Sequence, residues 1–76
     1  MAKLPIANHI RRLRFEAGEM TQEDLGKRIG MTRQTIAAIE QGKYSPSLEA
    51  AFRIARVFGQ PLEAVFQWHE EGPPRS

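Results

Sequence analysis

The sequence predicts an all-α domain of five short helices, with the two ends of the chain extended and able to form a short two-stranded antiparallel sheet. Three observations carry this expectation. Apolar residues recur three or four apart in separate short stretches (Ile10/Leu13, Leu25/Ile29, Ile36/Ile39, Ala51/Ala55), the spacing of a helix with one buried face. A glycine follows each of these stretches, at positions 18, 30, 42 and 59, where a helix commonly ends in the left-handed conformation. A hydroxyl residue opens the second, third and fourth stretches: Thr21, Thr32 and Ser47 can each accept a hydrogen bond from a free first-turn N–H.

Taken in order, residues 1–7 are short, mixed and interrupted by Pro5, and are expected to be an extended arm. Asn8 is placed to cap a first helix running to about Ala17, with Ile10, Leu13 and Ala17 inward and Arg11 and Arg12 outside that stripe. Thr21 starts the second helix, with Asp24 three residues on, where a carboxylate suits the positive end of the helix. Thr32 starts the third, inward at Ile36 and Ile39. After the loop Lys43-Tyr44-Ser45-Pro46-Ser47, Leu48 to Phe58 reads as a fourth helix. Its inward face is expected at Leu48, Ala51, Ala55 and Phe58, widened by Phe52 and Ile54. Pro61 opens a short fifth helix, Leu62 to about Phe66, because proline is tolerated in a first turn. Phe66 to His69 alternates apolar with polar, a strand signature that could pair with Leu4 to Ala7. Residues 70–76, with Gly72, Pro73 and Pro74, read as a frayed tail. The expected organisation is thus an arm at 1–7, one domain at 8–69 and a tail at 70–76.

The second and third helices carry a more specific signal. Counted from Gln22, apolar residues fall at the fourth, eighth, tenth, fifteenth and eighteenth places (Leu25, Ile29, Met31, Ile36, Ile39). The fifth place is Gly26, with no side chain to hold the helices apart, and the ninth is Gly30, which makes the turn. This is the spacing of a helix-turn-helix, whose second helix enters the DNA major groove.

Composition narrows the function classes. A chain of 76 residues has room for one domain, and buries only about 60% of its unfolded surface, so a partner subunit would add stability. The absence of cysteine excludes disulfides, thiolate chemistry and cysteine-type zinc sites, and suits a reducing cytosol. No apolar run approaches the roughly 20 residues of a membrane span, and no signal peptide is evident, so a cytoplasmic protein is expected. The net charge of +2 is uneven. Residues 1–44 hold eight Lys/Arg against five acids, and residues 45–76 hold three against four. The basic half is the half containing the helix-turn-helix, as a phosphate-facing surface requires. His9 and His69 stand alone without ligands at metal spacing, and no phosphate loop, nucleophile–histidine–acid set or carboxylate pair stands out. Neither an enzyme, nor a cofactor, nor a small-molecule ligand is expected.

From Asn8 to about His69, the stretches TQEDLGKRIG, TRQTIAAIEQGKYSPSLEAAFRIARVFG and PLEAVFQW resemble the Xre/Cro family, the phage-repressor type of helix-turn-helix. The ending is similar to the compact dimeric subgroup typified by the enterococcal cytolysin repressor, in which a short strand follows the fifth helix. The resemblance implies that Gln22 contacts the DNA backbone and buttresses the recognition helix, and that Arg33 and Gln34 reach base edges. It also implies an Arg14–Glu40 pair bridging the first and third helices. Two departures stand out. Ala37 and Ala38 replace the longer polar side chains common among relatives, which leaves a thymine-methyl contact as their means of reading bases. The turn from Gly18 to Thr21 is one residue longer than in the phage repressors.

Chemistry supports these roles. Arg33 offers two donors that match guanine O6 and N7, and Gln34 a donor and an acceptor that match adenine N6 and N7. Thr21, Gln22, Thr32, Gln41, Lys43 and Tyr44 form the expected backbone-contact set, because helix N-termini present free N–H groups to phosphates and the loop flanks the recognition helix. Val65, Phe66 and Trp68 are expected at a twofold interface, since a tryptophan so near the chain end has little of its own monomer to pack on. The sequence therefore reads as a DNA-binding transcriptional repressor that places helix 3 (about 33–41) in the major groove, as a homodimer on an inverted repeat. The rival reading is an antitoxin-type interaction protein that neutralises a toxin and regulates its own promoter, although the segment after the last strand is short and polar for capturing a partner.

Overall fold

A computed structural model, which describes residues 5–68, contains five helices and one two-stranded antiparallel sheet. In chain order the elements are β1 (Ile6–Asn8), α1 (Ile10–Glu16), α2 (Gln22–Ile29), α3 (Arg33–Glu40), α4 (Leu48–Phe58), α5 (Leu62–Val65) and β2 (Phe66–Trp68). The strands join the two ends of the described chain, with Ile6 opposite Trp68, Ala7 opposite Gln67 and Asn8 opposite Phe66. The pairing lies further along the N-terminal segment than expected, and Leu4, His69 and the 70–76 tail fall outside the described residues.

Local chemistry sets most helix ends. At α2, the Thr21 hydroxyl accepts from Asp24 N at 2.9 Å while the Asp24 carboxylate accepts from Thr21 N at 3.3 Å, so two otherwise free donors are satisfied reciprocally. Thr32 and Ser47 accept from Thr35 N (3.2 Å) and Ala50 N (3.1 Å) at the starts of α3 and α4. At the end of α3, Gly42 takes φ +76°. Its N–H reaches Ile39 O at 3.0 Å and the Lys43 N–H reaches Ala38 O at 3.0 Å, the two bonds of a Schellman closure. That closure fixes where Lys43 leaves the helix.

α1 departs from the expected capping. Asn8 lies in β1, and the N-cap position is His9, whose side chain makes no capping bond. Asn8 still serves the helix, because its Oδ1 accepts from Ile10 N at 3.2 Å. Strand pairing with Phe66 holds the Asn8 backbone extended, one residue before the position from which a side chain normally caps. Ala17, expected inward, is the exposed C-cap: the helix ends there, before its stripe can continue.

One core joins the elements: Ile10 and Leu13 of α1, Leu25 and Ile29 of α2, Ile36 and Ile39 of α3, Ile54 and Ala55 of α4, and Val65 of α5. On α4 the buried residues are Ala50, Ala51, Ile54 and Ala55, and Phe58 packs half-buried against the core, so of the expected stripe Leu48 alone turns outward. Ile54, expected at the margin, is fully buried. Leu48 is 67% and Phe52 49% exposed. The small side chains of the alanines allow close approach, and Ile54 fills the space between them, which rotates Leu48 and Phe52 outward.

Gly26 is a point of close contact. A Cβ there would overlap the carbonyl oxygen of Met31, so the missing side chain makes room for the backbone of the turn itself. The α2–α3 turn can fold back tightly only because of it.

Candidate nucleic-acid interface

The α2–turn–α3 unit presents one outward face. Ile36 and Ile39 anchor α3 in the core, which leaves Arg33, Gln34 and Gln41 exposed and Ala37 and Ala38 half-buried. Thr21 and Thr32 are exposed at the adjoining helix starts, and Lys43 and Tyr44 are exposed in the loop after α3. Most of the predicted base-contact and backbone-contact positions are therefore accessible, with Gln22, Ala37 and Ala38 half-buried, and Thr21, Gln22 and Arg33 line one groove.

A polar clamp sets the tilt of α3. Arg14 of α1 donates from Nε to Glu40 Oε2 at 2.7 Å and from a terminal nitrogen to Glu40 Oε1 at 3.1 Å, a two-bond fork matching the carboxylate. Its other terminal nitrogen donates to Met20 O at 2.8 Å. Gln22 Nε2 of α2 donates to Glu40 Oε1 at 3.2 Å. One carboxylate on α3 thus holds α1 and α2 together. The Arg14 and Glu40 side chains are only 14% and 9% exposed, so this pair gives orientation more than net stability, because desolvation offsets much of its attraction. With its amide donor directed at Glu40, Gln22 has its main-chain N–H in the first turn of α2 left to offer a phosphate.

The C-terminal end of α3 has a second tie. Asn8 Nδ2 donates to Ile39 O at 3.0 Å, reaching from β1 across 31 positions of sequence. This link has no local sequence signature.

The start of α2 holds its own carboxylate in the ionised form. The Asp24 carboxyl lies below the ordinary value of 3.8, first through the hydrogen bond it accepts from the Thr21 backbone and then through the Thr21 side chain, with smaller help from Lys27 and Arg28. Among the described residues, Arg12, Arg14, Lys27 and Arg53 pair with carboxylates, whereas Arg11, Arg28, Arg33, Lys43 and Arg56 do not. Arg11 was not among the expected contacts. The described residues contain no group of three or more side chains able to hold a metal ion, and no helix long and apolar enough to cross a membrane.

The chain-end residues separate. Val65 is fully buried in the monomer's own core, because α5 packs against α4, so it offers no surface to a second subunit. Phe66 is half-buried and Trp68 is 58% exposed. Between them, Gln67 donates to Glu63 O at 2.9 Å, but its buried Oε1 has no partner among the described residues.

The family model described as "Helix-turn-helix" matches residues 10–65, from the first residue of α1 to the last of α5. The chain belongs to the helix-turn-helix family. Its similar relatives include an uncharacterised HTH-type transcriptional regulator of Methanocaldococcus jannaschii, 54% identical over 52 residues, which cover 68% of this chain and 79% of that protein. Another, from Bacillus subtilis, is 48% identical over 64 residues, covering 84% of this chain and 94% of that protein. The cryptic phage CTXphi transcriptional repressor of Vibrio cholerae is 36% identical over 56 residues, covering 74% of this chain and 50% of that repressor. These relatives are named as regulators, not enzymes. A solved structure of a candidate DNA-binding protein from Bacteroides fragilis shares the fold, with a TM-score of 0.72 at 21% identity, covering 82% of this helix-turn-helix chain and 98% of that one.

Proposed function

We propose that this protein is a sequence-specific double-stranded DNA-binding transcriptional repressor, acting in the cytoplasm as a homodimer on an inverted-repeat operator, with α3 in the major groove. The observation that carries the reading is the recognition helix. Its inner face is fixed by Ile36, Ile39 and the Arg14–Glu40–Gln22 clamp, while Arg33 and Gln34 stand free at its exposed start. A base-reading side chain needs that combination of rigid support and open reach. Repression, rather than activation, follows the printed function of the phage relative. Self-association rests on the exposed Trp68 and the half-buried Phe66, which lie away from α3 in sequence and on the terminal strand. That strand after α5 is also the feature likened to the cytolysin-repressor subgroup.

Salt titrations on cognate and scrambled duplexes test the reading. A dimer neutralising about six to ten phosphates loses about a thousandfold or more in affinity between 50 and 200 mM salt. Arg33→Ala should cost about 1–3 kcal/mol on the cognate duplex and relax preference at one base position per half-site. Lys43→Ala should weaken both duplexes alike and lower the salt slope by about one per subunit. Equal weakening of the two duplexes by Arg33→Ala would show that Arg33 binds phosphate and reads no base.

A further inference from the structure

We propose that the outer face of α1, at Arg11 and Phe15, is a further DNA-backbone contact, in which Arg11 binds a phosphate and the Phe15 ring packs on the adjoining deoxyribose. The inference rests on the DNA-binding reading and extends its footprint beyond the helix-turn-helix. Three arginines stand on α1, and the structure distinguishes them. Arg14 is held by Glu40, and Arg12 lies 3.7 Å from Glu16. Arg11 is exposed, with no carboxylate within salt-bridge distance among the described residues.

Position supports the assignment. Arg11 and Phe15 are one helical turn apart and so share a face of α1. They line an open groove with Gln22 of α2 and with Ala37 and Gln41 of α3, and Arg11 and Phe15 also line the neighbouring groove that holds Thr21 and Arg33, with the carboxylates of Glu19 and Glu23 at that groove as well. The pair therefore borders the same side of the molecule as the proposed base and phosphate contacts. Phe15 is 68% exposed, the highest value among the large hydrophobic side chains described. A cation beside an exposed ring, continuous with a DNA-facing surface, matches the alternation of phosphate and sugar along a nucleic-acid strand. Such contacts carry half to two-thirds of protein–DNA hydrogen bonds and fix register without reading sequence.

The test uses the full chain and four variants: Arg11→Gln, Arg11→Lys, Phe15→Ala and Lys43→Ala. Both α1 residues are exposed, so their variants should keep the wild-type thermal midpoint. Arg11→Gln should lower the salt slope by about one per subunit on cognate and scrambled duplexes alike, and Arg11→Lys should restore it. Hydroxyl-radical footprinting reads sugar exposure directly, and Phe15→Ala should uncover one additional deoxyribose per half-site. If Lys43→Ala lowers the slope and Arg11→Gln does not, the α1 contact is wrong while the DNA-binding reading stands. If the wild-type protein binds no duplex at low salt, both fall. A Phe15→Ala variant with an unchanged footprint and altered sedimentation assigns the ring to contact between copies and overturns its role on DNA.

Discussion

Glu19 has φ +59°, the one positive value at a non-glycine residue among those described. It follows Gly18 at φ +89°, so two successive left-handed residues carry the chain from α1 to α2. This turn lets Met20 O meet the Arg14 side chain while Met20 N bonds Arg14 O at 2.9 Å. A side chain with a Cβ is disfavoured in that region, and asparagine tolerates it better. Glu19→Asn should therefore stabilise the protein by about 0.5–1 kcal/mol, and the β-branched Glu19→Ile should destabilise it by about 1 kcal/mol or more. For a domain of this size, each kcal/mol moves the thermal midpoint by about 4–8 °C, which calorimetry resolves. A midpoint unmoved by either change would mean that the turn relaxes freely.

Helix by helix, legibility followed the reach of the forces involved. Thr21, Asp24, Thr32, Gly30 and Gly42 act on their own or adjoining turns, so α2 and α3 could be placed from spacing alone. The inner face of α4 was legible only in part: Ala51, Ala55 and Phe58 follow the spacing, but LEAAFRIARVF is apolar on most sides and only contact with its neighbours selects Ile54 over Leu48. The capping rule also missed what Asn8 does, since its backbone answers to Phe66 and its amide to Ile39, both distant in sequence. Arg11 was hidden for a related reason: three α1 arginines look alike until their partners are known. Gly26 was legible as a close approach, but the group it admits is the Met31 carbonyl of the turn. Backbone has little freedom to yield, so Gly26→Ala should cost about 1–3 kcal/mol and displace α3 from its seat. Urea unfolding measures the loss. The accompanying fall in operator affinity should exceed that of an equally destabilising Ile54→Val change, which leaves the turn intact.

At the scale of the whole molecule, one recognition helix reads few base pairs, and two acting together need a twofold interface away from the DNA. With Val65 committed to the core, the proposed interface rests on Phe66 and Trp68. Trp68→Ala should shift sedimentation towards monomer and weaken operator binding far more than binding to a single half-site. A variant that remains dimeric with unchanged affinity places the interface elsewhere. The same sedimentation experiment reaches a further property when a one-half-site duplex is added. Asn8 grips the last turn of α3 through Ile39 O while its own strand is paired with Phe66. The proposed subunit contact and the proposed DNA contact therefore lie at the two ends of one hydrogen-bonded link through Asn8. Thermodynamic reciprocity then sets a symmetrical exchange: by whatever factor self-association tightens the grip on a half-site, that half-site must tighten self-association. A repressor built this way assembles most completely where its target already is.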